Sequence, residues 1–158
     1  MKRLILLIVI LIPTITLAKI PAMEQLGNEA EKQTDVEYFS AGSVMLGMAQ
    51  TFANKEQRAT FKMLDNIDMI TCNNSSYAKT LEQRALVIAK SVGAVYLATS
   101  HDERGRNDVY VVKQGKIVKE VIIITHSING GFGLVAMSGT IPYERLEELS
   151  KLSPPSKK

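Results

Sequence analysis

The run Lys116–Thr125 restricts the fold more than any other segment, because it has the spacing of a strand but lacks a polar face for half its length. Alternation places Ile117, Lys119, Val121 and Ile123 on one side and Val118, Glu120, Ile122 and Ile124 on the other. Past Glu120 both sides are apolar, so both must be covered. Helices can cover one side. The other must be met by an N-terminal helix, a closing helix or a second subunit. Left open, Val121–Ile124 would be an aggregation hazard.

Turn signals flank this run and extend it into a sheet. Gln114-Gly115 links it to a preceding strand, Asp108–Lys113, and Asn129-Gly130 leads into Phe132–Ser138. Both dipeptides supply the positive φ that tight hairpins demand. Further strands are expected at Val36–Phe39, Ile67–Cys72 and Ala94–Thr99. Helical spacing marks Ala22–Thr34, with Met23, Leu26 and Ala30 inward, and a helix capped by Ser43 whose buried stripe would be Met45, Met48, Ala49 and Phe52. Asn54 and Gln57 have the spacing of a capping box for a helix running to about Asp65. The clearest helix carries Tyr77, Leu81, Ala85, Ile88 and Val92 on one face, with Gly93 as its stop. Pro142 suits the first turn of a closing helix with Leu146, Leu149 and Leu152 inward. The expected architecture is a single α+β domain over residues 19–152, a mainly antiparallel sheet with helices packed on one face. Residues 153–158 read as a solvated tail.

The N-terminus reads as a leader. Lys2 and Arg3 precede an apolar run, and Ala18 stands at a plausible cleavage point, the pattern of a signal peptide over residues 1–18. Leu4–Leu17 contains Pro13 and is shorter than the about 20 residues a spanning helix needs. No integral segment is expected after cleavage, and the expected location is periplasmic or secreted. A lipid anchor would need a cysteine where Lys19 stands, and the one cysteine is Cys72. Cleavage removes two of the 19 basic side chains and none of the 16 acidic ones, leaving the chain near neutrality. That charge lacks the clustered basic face of a nucleic-acid binder. Cys72 cannot close an intramolecular disulfide, and its apolar surroundings predict a buried, inert thiol.

Recognisable catalytic patterns are missing. The two histidines, His101 and His126, lie in no HExxH pattern, and a lone cysteine makes no CxxC. His126 falls on the strand face of Ile122 and Ile124, where a margin histidine is a better account than a metal ligand. His126 and Ser127 are neighbours on a strand and point to opposite faces, and no GxSxG elbow occurs. Gly130-Gly131-Phe132-Gly133 lies between strands, whereas a phosphate cradle opens a helix. Asn73 and Asn74 begin formal glycosylation sequons but serve equally as helix caps. The one polar concentration is His101-Asp102-Glu103-Arg104-Gly105-Arg106-Asn107-Asp108, read as a loop between strands. Arg104 and Arg106 could fork onto a carboxylate or phosphate there, although mixed-sign loops are more often plain solvated connections.

Three stretches resemble the exported bacterial family catalogued as domain of unknown function 4252. They are Val36-Glu37-Tyr38-Phe39-Ser40-Ala41-Gly42 leading into Met45-Leu46, then Asp108–Lys113 with Gly115 and Lys116–Glu120, and then Leu134–Ile141 before the final helix. The resemblance implies an α+β domain on the envelope side of a Gram-negative cell, and an association with envelope signalling through alternative sigma factors. It brings no catalytic residue or cofactor. Members are often lipoproteins, and this chain departs from them by lacking the lipobox cysteine.

The expected function is therefore that of an exported envelope accessory or binding protein, not an enzyme, with no cofactor or metal and an envelope protein as partner. Its candidate contact residues are His101, Asp102, Glu103, Arg104 and Arg106. A small hydrolase built on His101, Asp102 and Arg104 is the alternative, and it requires those side chains to converge. A homodimer covering the second sheet face is the third reading.

Overall fold

A computed structural model describes residues 20–146. The expected leader, tail and closing helix beyond Leu146 fall outside the described residues. The chain runs α1 (Pro21–Ala30), β1 (Val36–Gly42), α2 (Ser43–Phe52), α3 (Lys55–Phe61), β2 (Leu64–Cys72), α4 (Ser75–Ser91), then β3 (Val95–Asp102), β4 (Gly105–Gln114), β5 (Ile117–Ser127) and β6 (Phe132–Pro142). A single six-stranded sheet results, in the order β1-β2-β6-β5-β4-β3, with every neighbour antiparallel. The expected α+β class holds, and β5 lies inside the sheet, as its double apolar face requires. No helix among the described residues is long and apolar enough to cross a membrane.

α1 and α4 pack on one face. Met23, Leu26 and Ala30 meet Leu81, Ala85 and Ala89 over Ile70, Ile122, Ile124 and Leu134. α4 turns Ala78, Leu81, Ala85 and Ala89 fully inward, while Tyr77, Ile88 and Val92 are only partly buried. Small residues let the helix axis approach the sheet, so the buried stripe is centred on alanines rather than on the larger side chains. The second face carries its own core of Ile67, Val111, Val121, Ile123, Val135, Met137 and Ile141, reached by Leu46 of α2, Phe61 of α3 and Leu146.

A β-bulge between Val118 and Glu120 moves Val118 onto this second face, beside Val121, instead of leaving it with Ile122 as strict alternation predicts. Glu120 follows the bulge with its Oε2 buried and without a hydrogen-bond partner. Burial pushes its carboxyl above the ordinary value of 4.5. An acid with a raised native pKa stabilises the fold below the unfolded pKa, and that contribution fades as pH rises through the native one. Glu120→Gln should therefore gain on the order of 1 kcal/mol at neutral pH, limited by the half-burial of the residue, and nothing once both forms are uncharged. Urea denaturation at two pH values checks the sign.

The turns follow the glycines. Gln114 pairs with Ile117, so the two-residue turn is Gly115-Lys116, with Gly115 at φ 63°. Gly130, at φ 80°, closes the β5–β6 turn, where Ser127 N–H donates to Gly131 O at 3.0 Å. The Asn54–Gln57 capping box forms in both directions, and α3 ends at Phe61, short of Asp65. Pro142 precedes a 3-10 turn, Tyr143–Arg145, and Leu146 enters the helical region.

Candidate functional site

The segment His101–Asp108, read from sequence as a loop, is the tip of a hairpin. β3 continues to Asp102 and β4 starts at Gly105, leaving Glu103-Arg104 as the turn. The polar residues are strand residues here because they pair across the β3–β4 ladder, where the side chains of Thr99 and Asp108, and of Asp102 and Asn107, are also hydrogen-bonded. His101 faces Arg106 across the ladder, Ser100 faces Asn107 and Thr99 faces Asp108. Successive side chains on β3 point to opposite faces, so His101 shares a face with Arg106 while Asp102 lies on the other. The convergence of His101, Asp102 and Arg104 that a hydrolase would need is not formed. Asp102 instead staples the turn. Its Oδ1 accepts from the backbone N–H of Arg104 at 2.8 Å and of Gly105 at 3.1 Å, and its Oδ2 accepts from Asn107 Nδ2 at 3.3 Å. The Arg104 N–H leads the interactions that hold its carboxyl below the usual range.

Arg106 does belong to a polar constellation, but its centre is His126, which sequence reasoning set aside as a margin residue; His101 stays exposed opposite Arg106 in the ladder. His126 Nε2 lies 3.0 Å from Asp108 Oδ2, and its Nδ1 lies 3.6 Å from Glu82 Oε2 on α4. Arg106 Nη2 is 3.1 Å from the same Asp108 oxygen, and Thr99 Oγ1 donates to Asp108 Oδ1 at 2.6 Å. Burial opposes ionisation of Asp108, yet Thr99, Arg106 and His126 together hold its carboxyl below the ordinary value. Both ring nitrogens face carboxylates, Nε2 also lies 2.9 Å from Arg106 Nη2, and the Thr99 hydroxyl is spent on Asp108. The group can therefore lock β3, β4 and β5 to α4, but it presents no free base beside a nucleophile. The missed signal is the even spacing of Arg106, Asp108, His126 and Ile124 on one face, which only the β4–β5 register brings together. Among the described residues no three His, Cys, Asp or Glu side chains form a metal-binding group. Cys72 is buried, its Sγ 3.4 Å from Asn74 O, and burial raises its thiol pKa.

The surface that departs most from expectation is α2. The predicted inward stripe of Met45, Met48, Ala49 and Phe52 is not buried. Leu46 alone anchors the helix, whereas Val44, Met45, Met48 and Phe52 are 76, 47, 59 and 93 % exposed. At about 100° per residue these four fall within one third of the helix circumference, opposite Leu46. Periodicity revealed the stripe correctly, but not the side it faces. α2 leaves β1 directly at Gly42, and that junction turns Leu46 toward the sheet. The helix contains no charged residue. Monomeric proteins rarely leave an apolar stripe of this size open without a use for it.

A second open feature is a groove of about 350 Å³ on the second sheet face, lined by Leu97, Val109, Val121, Ile123, Tyr143 and Leu146 among others. No Asp, Glu, His or Cys is among its described lining residues.

No curated protein and no solved structure matches the chain significantly. A family model does match, the domain of unknown function DUF4252, over residues 30–149. That span takes in β1 through β6, the His126 constellation and the whole of α2. With about three-quarters of its length matched, the chain belongs to the DUF4252 family.

Proposed function

We propose that this is an exported envelope accessory protein that works by binding a protein partner through α2, and that it is not an enzyme. The carrying observation is the outward stripe of Val44, Met45, Met48 and Phe52 on an uncharged helix. Methionine and phenylalanine in this setting supply adaptable apolar contact at low specificity of shape. Export is supported by the leader pattern of residues 1–18, and the engagement of Asp102, Asp108 and His126 in hydrogen bonds and ion pairs of the fold favours binding over catalysis. No specific observation favours the hydrolase reading, since His101 and Asp102 point apart.

Photocrosslinking in cells tests the surface. A crosslinking residue at position 52 is expected to yield a discrete adduct in the envelope fraction, and one at position 103, on the hairpin tip, none. Met48→Glu should lower the yield at position 52 at least tenfold, because an apolar anchor in an interface contributes about 2 kcal/mol. Adducts from position 103 but not from 52 would move the contact to the hairpin. Recovery of the protein in the cytoplasm with residues 1–18 intact would refute export.

A further inference from the structure

We infer that the occupant of the α2 face is the α2 face of a second copy of this chain, forming a two-fold symmetric dimer. The inference rests on the reading of α2 as the binding surface and names its partner. Three observations carry it: charge, area and relief.

The face is neutral. Ser43–Phe52 contains no Lys, Arg, Asp or Glu, so two copies meet without repulsion and without leaving a charge buried and unpaired. A partner with a charged binding surface would find nothing complementary on this helix.

The area suits a modest dimer. From their exposures, the four apolar residues present on the order of 500 Å² per protomer, so complete burial of both faces would remove about 1,000 Å² from water, the lower bound for a specific interface.

The relief is self-complementary. Val44, Met48 and Phe52 are four residues apart and form one ridge along the helix. The neighbouring row, Ser43, Gly47 and Thr51, is also spaced by four, is exposed, and consists of small residues. A ridge beside a shallow trough of the same pitch lets the ridge of each copy enter the trough of the other, the packing that crosses helices at about −50°. A two-fold axis makes both insertions equivalent. Gly47 sits at the floor of the trough. A Cβ there would meet nothing within 4 Å in the protomer, so packing within the protomer does not require a glycine in mid-helix. In the dimer it is required, because the partner's Met48 ridge passes over it.

Sedimentation of the protein purified after native processing, at tens of micromolar, decides the matter. A dimer is expected, with Met48→Glu and Gly47→Leu each raising its dissociation constant at least tenfold. Gly47→Leu is the discriminating variant. It replaces a poor helix former with a good one at an open position, so the protomer should keep its circular dichroism and melt no earlier when dilute. A wild-type monomer at that concentration, or a dimer indifferent to both substitutions, overturns the inference. The mass of the position-52 adduct separates the two levels. Twice the protomer supports the second copy. Another mass leaves α2 as a binding surface and removes the second copy. The absence of any adduct removes both.

Discussion

Asp68→Ala is expected to destabilise the protein by about 3 kcal/mol, among the largest effects of any single polar substitution in it. Asp68 is 2 % exposed on β2 and accepts two hydrogen bonds, from Tyr38 Oη at 2.8 Å and from Asn66 Nδ2 at 2.7 Å. Alanine would remove the acceptor shared by the buried Asn66 amide and the half-buried Tyr38 hydroxyl beneath α1, where the Tyr38 ring packs so closely under Gly27 that no Cβ fits there. Each orphaned donor costs about 1–3 kcal/mol. Tyr38→Phe removes one donor and keeps the other satisfied, so about 1 kcal/mol is expected. The double variant should then cost less than the sum, because the two share one bond. Burial, reinforced by Asp68, pushes the Tyr38 phenol well above its ordinary 10.0. A raised native pKa means this contribution is complete below pH 10 and is lost as pH rises beyond it. Urea titrations of the three variants, with phenolate absorbance in alkaline solution, measure both effects. A loss under 0.5 kcal/mol for Asp68→Ala would show the pair to be dispensable. The bond matters for the binding surface because β1, which carries Tyr38, runs without a linker into α2.

Gly139→Ala is expected to cost about 3 kcal/mol through backbone displacement. Gly139 pairs with Leu64 where the β2–β6 register shifts, and a Cβ there would overlap the Met63 carbonyl oxygen and come within 3.0 Å of Leu64 Cα. Neither contact can be relieved by turning a side chain, since all the atoms are backbone. The same Met63 oxygen accepts from Thr140 N–H at 2.9 Å, so relief of the overlap loses a backbone bond at the start of β2. Met63 follows α3, which places α2 and α3 against the second face. Thermal melts should therefore fall several degrees, and crosslinking from position 52 should fall with them. An unchanged midpoint would mean that β6 shifts freely at the bulge.

Much of the fold was legible. The α4 helix, the Asn54–Gln57 box, Gly93 as a stop and glycine-led turns all depend on residues within a few positions of one another, and all six strands were recognised. Legibility failed where long-range pairing decides. The polar run His101–Asp108 resembled a loop because propensity penalises Asp, Asn and Gly in strands, yet ladder bonds to β5 and between β3 and β4 override it. Val118 changed face because a bulge, which strict alternation does not anticipate, intervenes. His126 looked isolated because Glu82, Arg106 and Asp108 come to it from other elements.

The sequence by itself determined where the four described helices start, where the six strands are centred, which glycines turn the chain, and that β5 must be interior, because these follow from local sterics and from apolar area that water disfavours. Tertiary structure alone decided strand order, the His126 constellation and the outward facing of α2. Periodicity defines an apolar stripe but not its direction. The junction of β1 with α2 turned Leu46 inward and left Val44, Met48 and Phe52 outside, because one helix cannot bury opposite faces against a single sheet.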